Sequence, residues 1–163
     1  MDFRERLEDA IRRGERLGEA RQRAKAERTL NEEELKRLHS QFRLELSERI
    51  ENCMRPLPQF FPGFRYETLV GDRGWGAAVS RDDLQLEAGR RTNHFSRLEM
   101  TVRPFSSLHV LELVAKGTVR NKEIFNRNHF QPLAEADLAA FETLADHWVL
   151  EYAELYASRT KGS

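Results

Sequence analysis

The chain has 163 residues, of which 39% are apolar and 33% are charged, and its 27 basic and 27 acidic side chains cancel. This length suffices for one domain with its own core, and the zero net charge gives no overall field that would attract nucleic acid or an anionic membrane. Cys53 is the only cysteine, which excludes an internal disulfide framework and a cysteine-based zinc site. Because the sequence has neither a membrane-spanning apolar run nor a signal peptide, we expect a cytoplasmic protein without membrane contact.

Residues 1–30 predict a charged helical arm, which we call the arm. They are rich in Glu, Arg, Leu and Ala, all good helix formers, and Phe3, Leu7 and Ile11 recur at helical spacing. Residues 12–28 hold seven basic and three acidic side chains, a net charge of +4, with little apolar surface. The arm therefore stays solvated unless a partner covers Phe3, Leu7 and Ile11, which we predict to be partner-binding residues.

Residues 31–163 predict a single α+β domain that begins with an amphipathic helix over residues 31–55. Thr29 or Asn31 offers an N-terminal cap, and acidic residues follow in the first turn, where the helix dipole favours them. Pro56 ends the helix, because proline cannot continue it. The apolar stripe of this helix consists of Leu35, Leu38, Phe42, Leu46, Ile50 and Met54.

From residue 64 the apolar pattern changes to a period of two, which predicts strands. Five or six short runs lie between about residues 64 and 130, separated by turn-like segments at 71–74, 81–83 and 89–93. Such a meander is apolar on one face and polar on the other. The predicted polar face carries Arg65, Glu67, Gln85, Glu87, Arg97, Glu99, Thr101, Arg103, Glu112 and Lys116.

A second amphipathic helix is predicted over residues 133–158, with an apolar stripe wide enough to pack on a sheet. The predicted fold is therefore α+β: a long N-terminal helix, an antiparallel meander of five to six strands, and a C-terminal helix on the apolar sheet face.

The sequence contains few candidates for chemistry. The glycines of residues 71–76 do not match a nucleotide-binding motif and are typical of a hairpin turn. Cys53 lies beside Met54 in a predicted helix, which favours structural burial over nucleophilic catalysis. His94, His109 and His129 fall in the strand region, where a meander could gather or scatter them. We predict no metal site and no cofactor.

Charge is unevenly distributed. The helix over residues 133–158 has six acidic and no basic side chains, whereas residues 90–127 have eight basic and three acidic ones, a net charge of +5. These two regions either orient an association or neutralise each other within the fold. The predicted basic patch consists of Arg90, Arg91, Arg97, Arg103, Lys116, Arg120, Lys122 and Arg127.

These patterns favour a non-enzymatic protein-interaction module whose arm pairs as a coiled coil, either with a second copy in a homodimer or with a helical partner. One alternative is a nucleic-acid-binding protein that uses the basic part of the arm and the basic patch. Another is a small-molecule-binding or enzymatic domain with a cavity between sheet and helices. That cavity would be lined by Trp75, Trp148, Tyr66 and Tyr152, with Arg97, Arg103 and His109 as polar groups.

Overall fold

In the computed structural model, the backbone is described for residues 2–160 and the side chains for residues 2–25 and 31–159. The contacts divide the chain into two units, Met1–Arg37 and Leu38–Ser163. Arg28 and Thr29, which the sequence analysis placed in the basic part of the arm and at a helix cap, have side chains outside the described residues.

Helix α1 extends from Phe3 to Met54. At its start the Asp2 carboxylate accepts a hydrogen bond from the backbone N–H of Glu5 at 2.9 Å, which satisfies one of the free donors of the first turn. The predicted helix over residues 31–55 is the C-terminal part of α1 and not a separate helix. The chain has no proline or glycine between Gly18 and Met54, so nothing interrupts the backbone hydrogen bonds and the predicted cap residues lie inside a helix.

The second unit contains a five-stranded antiparallel sheet in which each strand pairs with the next along the chain. This arrangement confirms the predicted α+β fold. The short helix α2, Leu57–Phe60, precedes the sheet. The strands are β1 (Arg65–Gly71), β2 (Gly74–Glu87), β3 (Arg90–Val102), β4 (Val110–Val119) and β5 (Lys122–Pro132).

The predicted turn at residues 81–83 does not exist, because β2 continues through it and pairs with β3 as far as the Glu87–Arg90 pair. The β2–β3 turn is formed by Ala88 and Gly89, both with positive φ, as two-residue hairpins require. Two predicted runs are therefore one strand.

The continuous strand also corrects the predicted faces. Successive side chains of β2 continue to alternate between the two sides of the sheet across residues 81–83. Gln85 and Glu87 therefore point to the same side as Ala77 and Val79, not to the polar face. Leu84 and Leu86 lie on the polar side, where they are exposed.

Helix α3 spans Leu138–Thr160 and contacts β3 and β4. It begins later than residue 133 because Leu133–Glu135 form a 3-10 turn and Asp137 caps the helix through the backbone N–H of Ala140. Burying each large apolar side chain contributes about 1.5–3 kcal/mol. The fully buried core includes Leu46, Ile50 and Met54 of α1, Leu98, Met100, Leu111 and Leu113 of the sheet, and Phe141, Ala145 and Tyr152 of α3.

Candidate interaction surface

The arm presents an apolar stripe to solvent. Phe3, Leu7 and Ile11 are 75%, 47% and 53% exposed, and Leu17 is 61% exposed. Successive residues of an α-helix are rotated by 100° about the helix axis. On this projection the residues of the stripe fall within an arc of about 120°, and no charged side chain between positions 3 and 18 lies within that arc. We call this arc the apolar stripe. It consists of Phe3, Leu7, Ala10, Ile11, Gly14, Leu17 and Gly18.

The two glycines of the stripe have no steric role within the described part of the chain. A Cβ atom added at Gly14 or Gly18 would meet nothing within 4 Å. Each glycine costs about 1 kcal/mol of helix stability relative to alanine. The described contacts of the chain therefore supply no reason for glycine here, whereas small residues on a helix surface allow a second helix to approach closely.

The eight residues of the predicted basic patch lie on both sides of the sheet. The strand pairing places Arg91, Arg97 and Lys116 on the polar side, and the ion pair of Arg103 with Glu112 places Arg103 there as well. Arg127 lies on the other side, where it forms an ion pair with Glu151 of α3. The remaining members are at strand ends and turns: Arg90, Arg120 and Lys122.

On the polar side, basic and acidic residues neutralise one another. Arg97 donates to Glu67 at 3.0 Å and to Glu99 at 3.2 Å, so it connects β1 with β3. Arg103 lies 3.9 Å from Glu112 on β4. Next to this network is a shallow depression of about 600 Å³, lined partly by Leu69, Arg73, Thr101 and Val114. Ion pairs that are this exposed contribute little stability, but they offset the positive charge of Arg97 and Arg103.

The acidic helix α3 is also partly neutralised within the second unit. Arg49 of α1 donates from Nε to Asp146 at 2.9 Å and also contacts Glu142. This hydrogen bond lowers the pKa of Asp146 below its usual value.

The Cys53 thiol donates to the same carboxylate at 2.6 Å. Burial, together with the hydrogen bond and charge of Asp146, raises the pKa of Cys53 to about 12. A thiol that stays protonated at neutral pH is a poor nucleophile, which supports the structural interpretation of Cys53.

The three strand-region histidines have separate surroundings. His94 lies 3.7 Å from Glu87, the His109 ring lies 5.7 Å from that of Phe105, and the His129 ring packs on Phe141 at 5.0 Å. Among the described residues, no group of three histidine, cysteine, aspartate or glutamate side chains is arranged to hold a metal ion.

The aromatic residues proposed to line a cavity have other roles. Trp148 and Tyr152 belong to the core, and the Tyr152 hydroxyl donates to the Thr118 carbonyl at 2.8 Å. The guanidinium of Arg43 lies 4.2 Å from the centre of a Trp75 ring, and that of Arg55 lies 5.6 Å from the Tyr66 ring.

A depression that the sequence analysis missed lies at one end of the sheet. It has a volume of about 390 Å³, and its lining is mixed: Phe60, Phe61, Pro62, Leu84 and Tyr156 lie beside Arg81, Asp83, Gln85 and Arg120. Arg81 bonds Asp83 at 2.7 Å and the Pro62 carbonyl at 2.6 Å, and Arg120 bonds Gln85 at 3.0 Å. These polar groups of the depression therefore form hydrogen bonds with one another. The apolar residues switch from odd positions (Trp75, Ala77, Val79) to even positions (Leu84, Leu86) across residues 81–83, so no sequence pattern would have placed Arg81 and Gln85 together.

Comparison of the chain with protein-family models, with curated proteins and with solved structures found no match. No helix in the described part of the chain combines the length and apolar character needed to cross a membrane.

Proposed function

We propose that the chain is a non-enzymatic protein-interaction module that forms a homodimer through the apolar stripe of the arm. The observation that carries the proposal is the exposure of Phe3, Leu7, Ile11 and Leu17 along one uncharged face of a helix. An exposed helix of this kind receives its stability from burying that face against another element.

A second copy of the chain is the simplest occupant, because a two-fold pair buries the same face on both helices. Each large apolar side chain removed from water contributes about 1.5–3 kcal/mol. Burial of Phe3, Leu7, Ile11 and Leu17 from both copies is therefore the main favourable contribution that would oppose the cost of association, which is about 4–15 kcal/mol. The pairing of Arg97 with Glu67 and Glu99, and of Arg127 with Glu151, argues against the contribution of these two patch residues to the alternative, a nucleic-acid-binding protein that uses the basic part of the arm and the basic patch.

Sedimentation equilibrium of the full chain tests this proposal. We expect Leu7→Glu combined with Ile11→Glu to convert the dimer into a monomer, because it places two charges in the apolar stripe. The matched control is Leu44→Glu combined with Leu150→Glu, which changes two leucines that are similarly exposed outside the arm. The control is expected to remain dimeric. A dimer that survives Leu7→Glu with Ile11→Glu would refute the proposal, as would a monomeric wild-type chain.

A further inference from the structure

Strand β1 is an edge of the sheet whose outer side has no partner in the described part of the chain. Among the described residues, no hydrogen bond reaches the backbone of Arg65–Gly71 from the side opposite β2. Alternate residues of an edge strand direct their N–H and C=O groups away from the sheet, where they can pair with a further strand. The exposed side chains of Thr68 and Val70 leave that position accessible.

The opposite edge, β5, has features by which proteins prevent pairing between sheet edges. Charged side chains lie along it and a proline ends it: Lys122, Glu123, Arg127 and Pro132. Ile124 is an extra residue of β5 where its register with β4 shifts between Gly117 and Thr118, and such a bulge bends the strand. In contrast, β1 pairs with β2 without a register shift and contains neither lysine nor proline. The unprotected edge is therefore β1.

The sequence of β1 is complementary to itself in one antiparallel register. Thr68 is the middle residue of this seven-residue strand, so only a pair centred on Thr68 joins all seven residues. In that register Thr68 faces Thr68 of the other copy, and Tyr66 faces Val70. Threonine–threonine and aromatic–β-branched pairs stabilise antiparallel sheets by about 0.2–1 kcal/mol each. Moving the centre by one residue, to Glu67 or Leu69, pairs fewer residues and, at Glu67, sets two carboxylates opposite each other.

We infer that β1 is a second self-association surface, at which the β1 strands of two copies pair antiparallel about a two-fold axis at Thr68 and join their sheets into one. The inference goes beyond the proposed function, because it requires no contribution from the arm. A seven-residue strand is about 24 Å long, and its edge offers much less than the roughly 1,200 Å² of a stable interface. The contact is therefore weak, and at micromolar concentration the mass of the assembly is set by the arm.

Disulfide trapping in the full chain tests the register. Cys53→Ser removes the native thiol and retains a hydroxyl that can donate to Asp146. In this background, Thr68→Cys places the two new cysteines directly opposite each other, with Cα atoms about 4.5–5.5 Å apart, a separation that a disulfide spans. Val70→Cys is the matched control, because it is exposed on the same strand but lies about 14 Å along the strands from its counterpart.

We expect Thr68→Cys to form the covalent dimer at least about tenfold faster than Val70→Cys under mild oxidation at high protein concentration. Equal rates, or a faster Val70→Cys, overturn the inference whatever the mass of the chain. Circular dichroism and thermal unfolding first establish that each variant is folded.

The same comparison in a Leu7→Glu with Ile11→Glu background separates this inference from the proposed function. A preference for Thr68→Cys that persists there supports pairing through β1 without the arm, and one that is lost overturns it. If the preference persists although the wild-type chain is monomeric at micromolar concentration, the proposed arm dimer fails and the β1 surface remains.

A lysine on the strand gives a second measurement. Thr68→Lys sets two positive charges opposite each other and gives β1 the kind of protection that β5 has. In the Leu7→Glu with Ile11→Glu background, we expect it to raise the dissociation constant at high protein concentration about tenfold or more. Asn126→Lys is the control, because it makes the same charge change at an exposed position of the other edge strand. A mass that depends equally on concentration in both variants would contradict the inference.

Discussion

Among the described glycines, Gly76 leaves the least room for a side chain. A Cβ atom at Gly76 would lie 1.9 Å from the carbonyl oxygen of Met100 and 2.9 Å from its carbonyl carbon. Both atoms are backbone atoms of β3, so the clash cannot be relieved by a side-chain rotation. Gly76→Ala requires β2 and β3 to separate by more than 1 Å to restore an ordinary contact of about 3.4 Å.

Overpacking of a well-packed region costs about 1–3 kcal/mol, and a backbone clash belongs at the upper end of that range. We therefore expect Gly76→Ala to lower the free energy of unfolding by about 3 kcal/mol, and the melting temperature by roughly 6–12 °C for a chain of this length. Urea unfolding followed by tryptophan fluorescence and circular dichroism measures this change. Gly71→Ala is the control, because nothing lies within 4 Å of a Cβ atom there. Equal stability of the two variants would refute the argument.

Three further predictions concern side chains of the second unit. Burial lowers the pKa of His39, so the unfolded chain takes up a proton at higher pH than the folded chain does, and the free energy of unfolding falls as pH drops below about 6.5. In urea unfolding at several pH values, we expect His39→Gln to remove this loss of stability. The control His147→Gln, at an exposed position, is expected to retain it. The raised pKa of Cys53 makes native alkylation at pH 8 about a thousandfold slower than in the unfolded chain, and rates within tenfold of each other would contradict this. Asn121, at φ 70°, accepts from the Phe95 N–H, so Asn121→Ala destabilises by about 2 kcal/mol; Asn121→Gly, which accepts positive φ, recovers part of that loss.

The fold class followed from periodicity, because apolar spacing changes from 3.6 to 2 and back along the chain and the elements change with it. The unbroken β2 strand did not follow from the sequence. Arg81, Asp82 and Asp83 have the composition of a turn, but Arg81 bonds the Pro62 carbonyl and Asp82 accepts from Asn93 of the adjacent strand at 3.1 Å. These tertiary contacts override local preference, and no local signal reports them.

The placement of charge was equally hard to predict. Arg97 and Arg127 belong to one basic stretch of sequence, yet they lie on opposite sides of the sheet and bind acidic residues of different elements. Net charge along the chain does not specify the face of a strand, and partner side chains from distant segments cancel much of it. The stripe on the arm was easier to predict, because a helix exposed along its length needs no tertiary partner to define its faces.

Two copies of the chain are proposed to associate through the arm. Light scattering after gel filtration, at micromolar concentration and moderate salt, gives the absolute mass of the full-length protein. Association of two copies predicts twice the chain mass of 19.1 kDa. This mass is expected to decrease on dilution and for Leu7→Glu with Ile11→Glu. A mass of 19.1 kDa that does not change with concentration would contradict it. A larger mass that disappears on nuclease treatment or at high salt would also contradict it, and would favour nucleic acid as the partner.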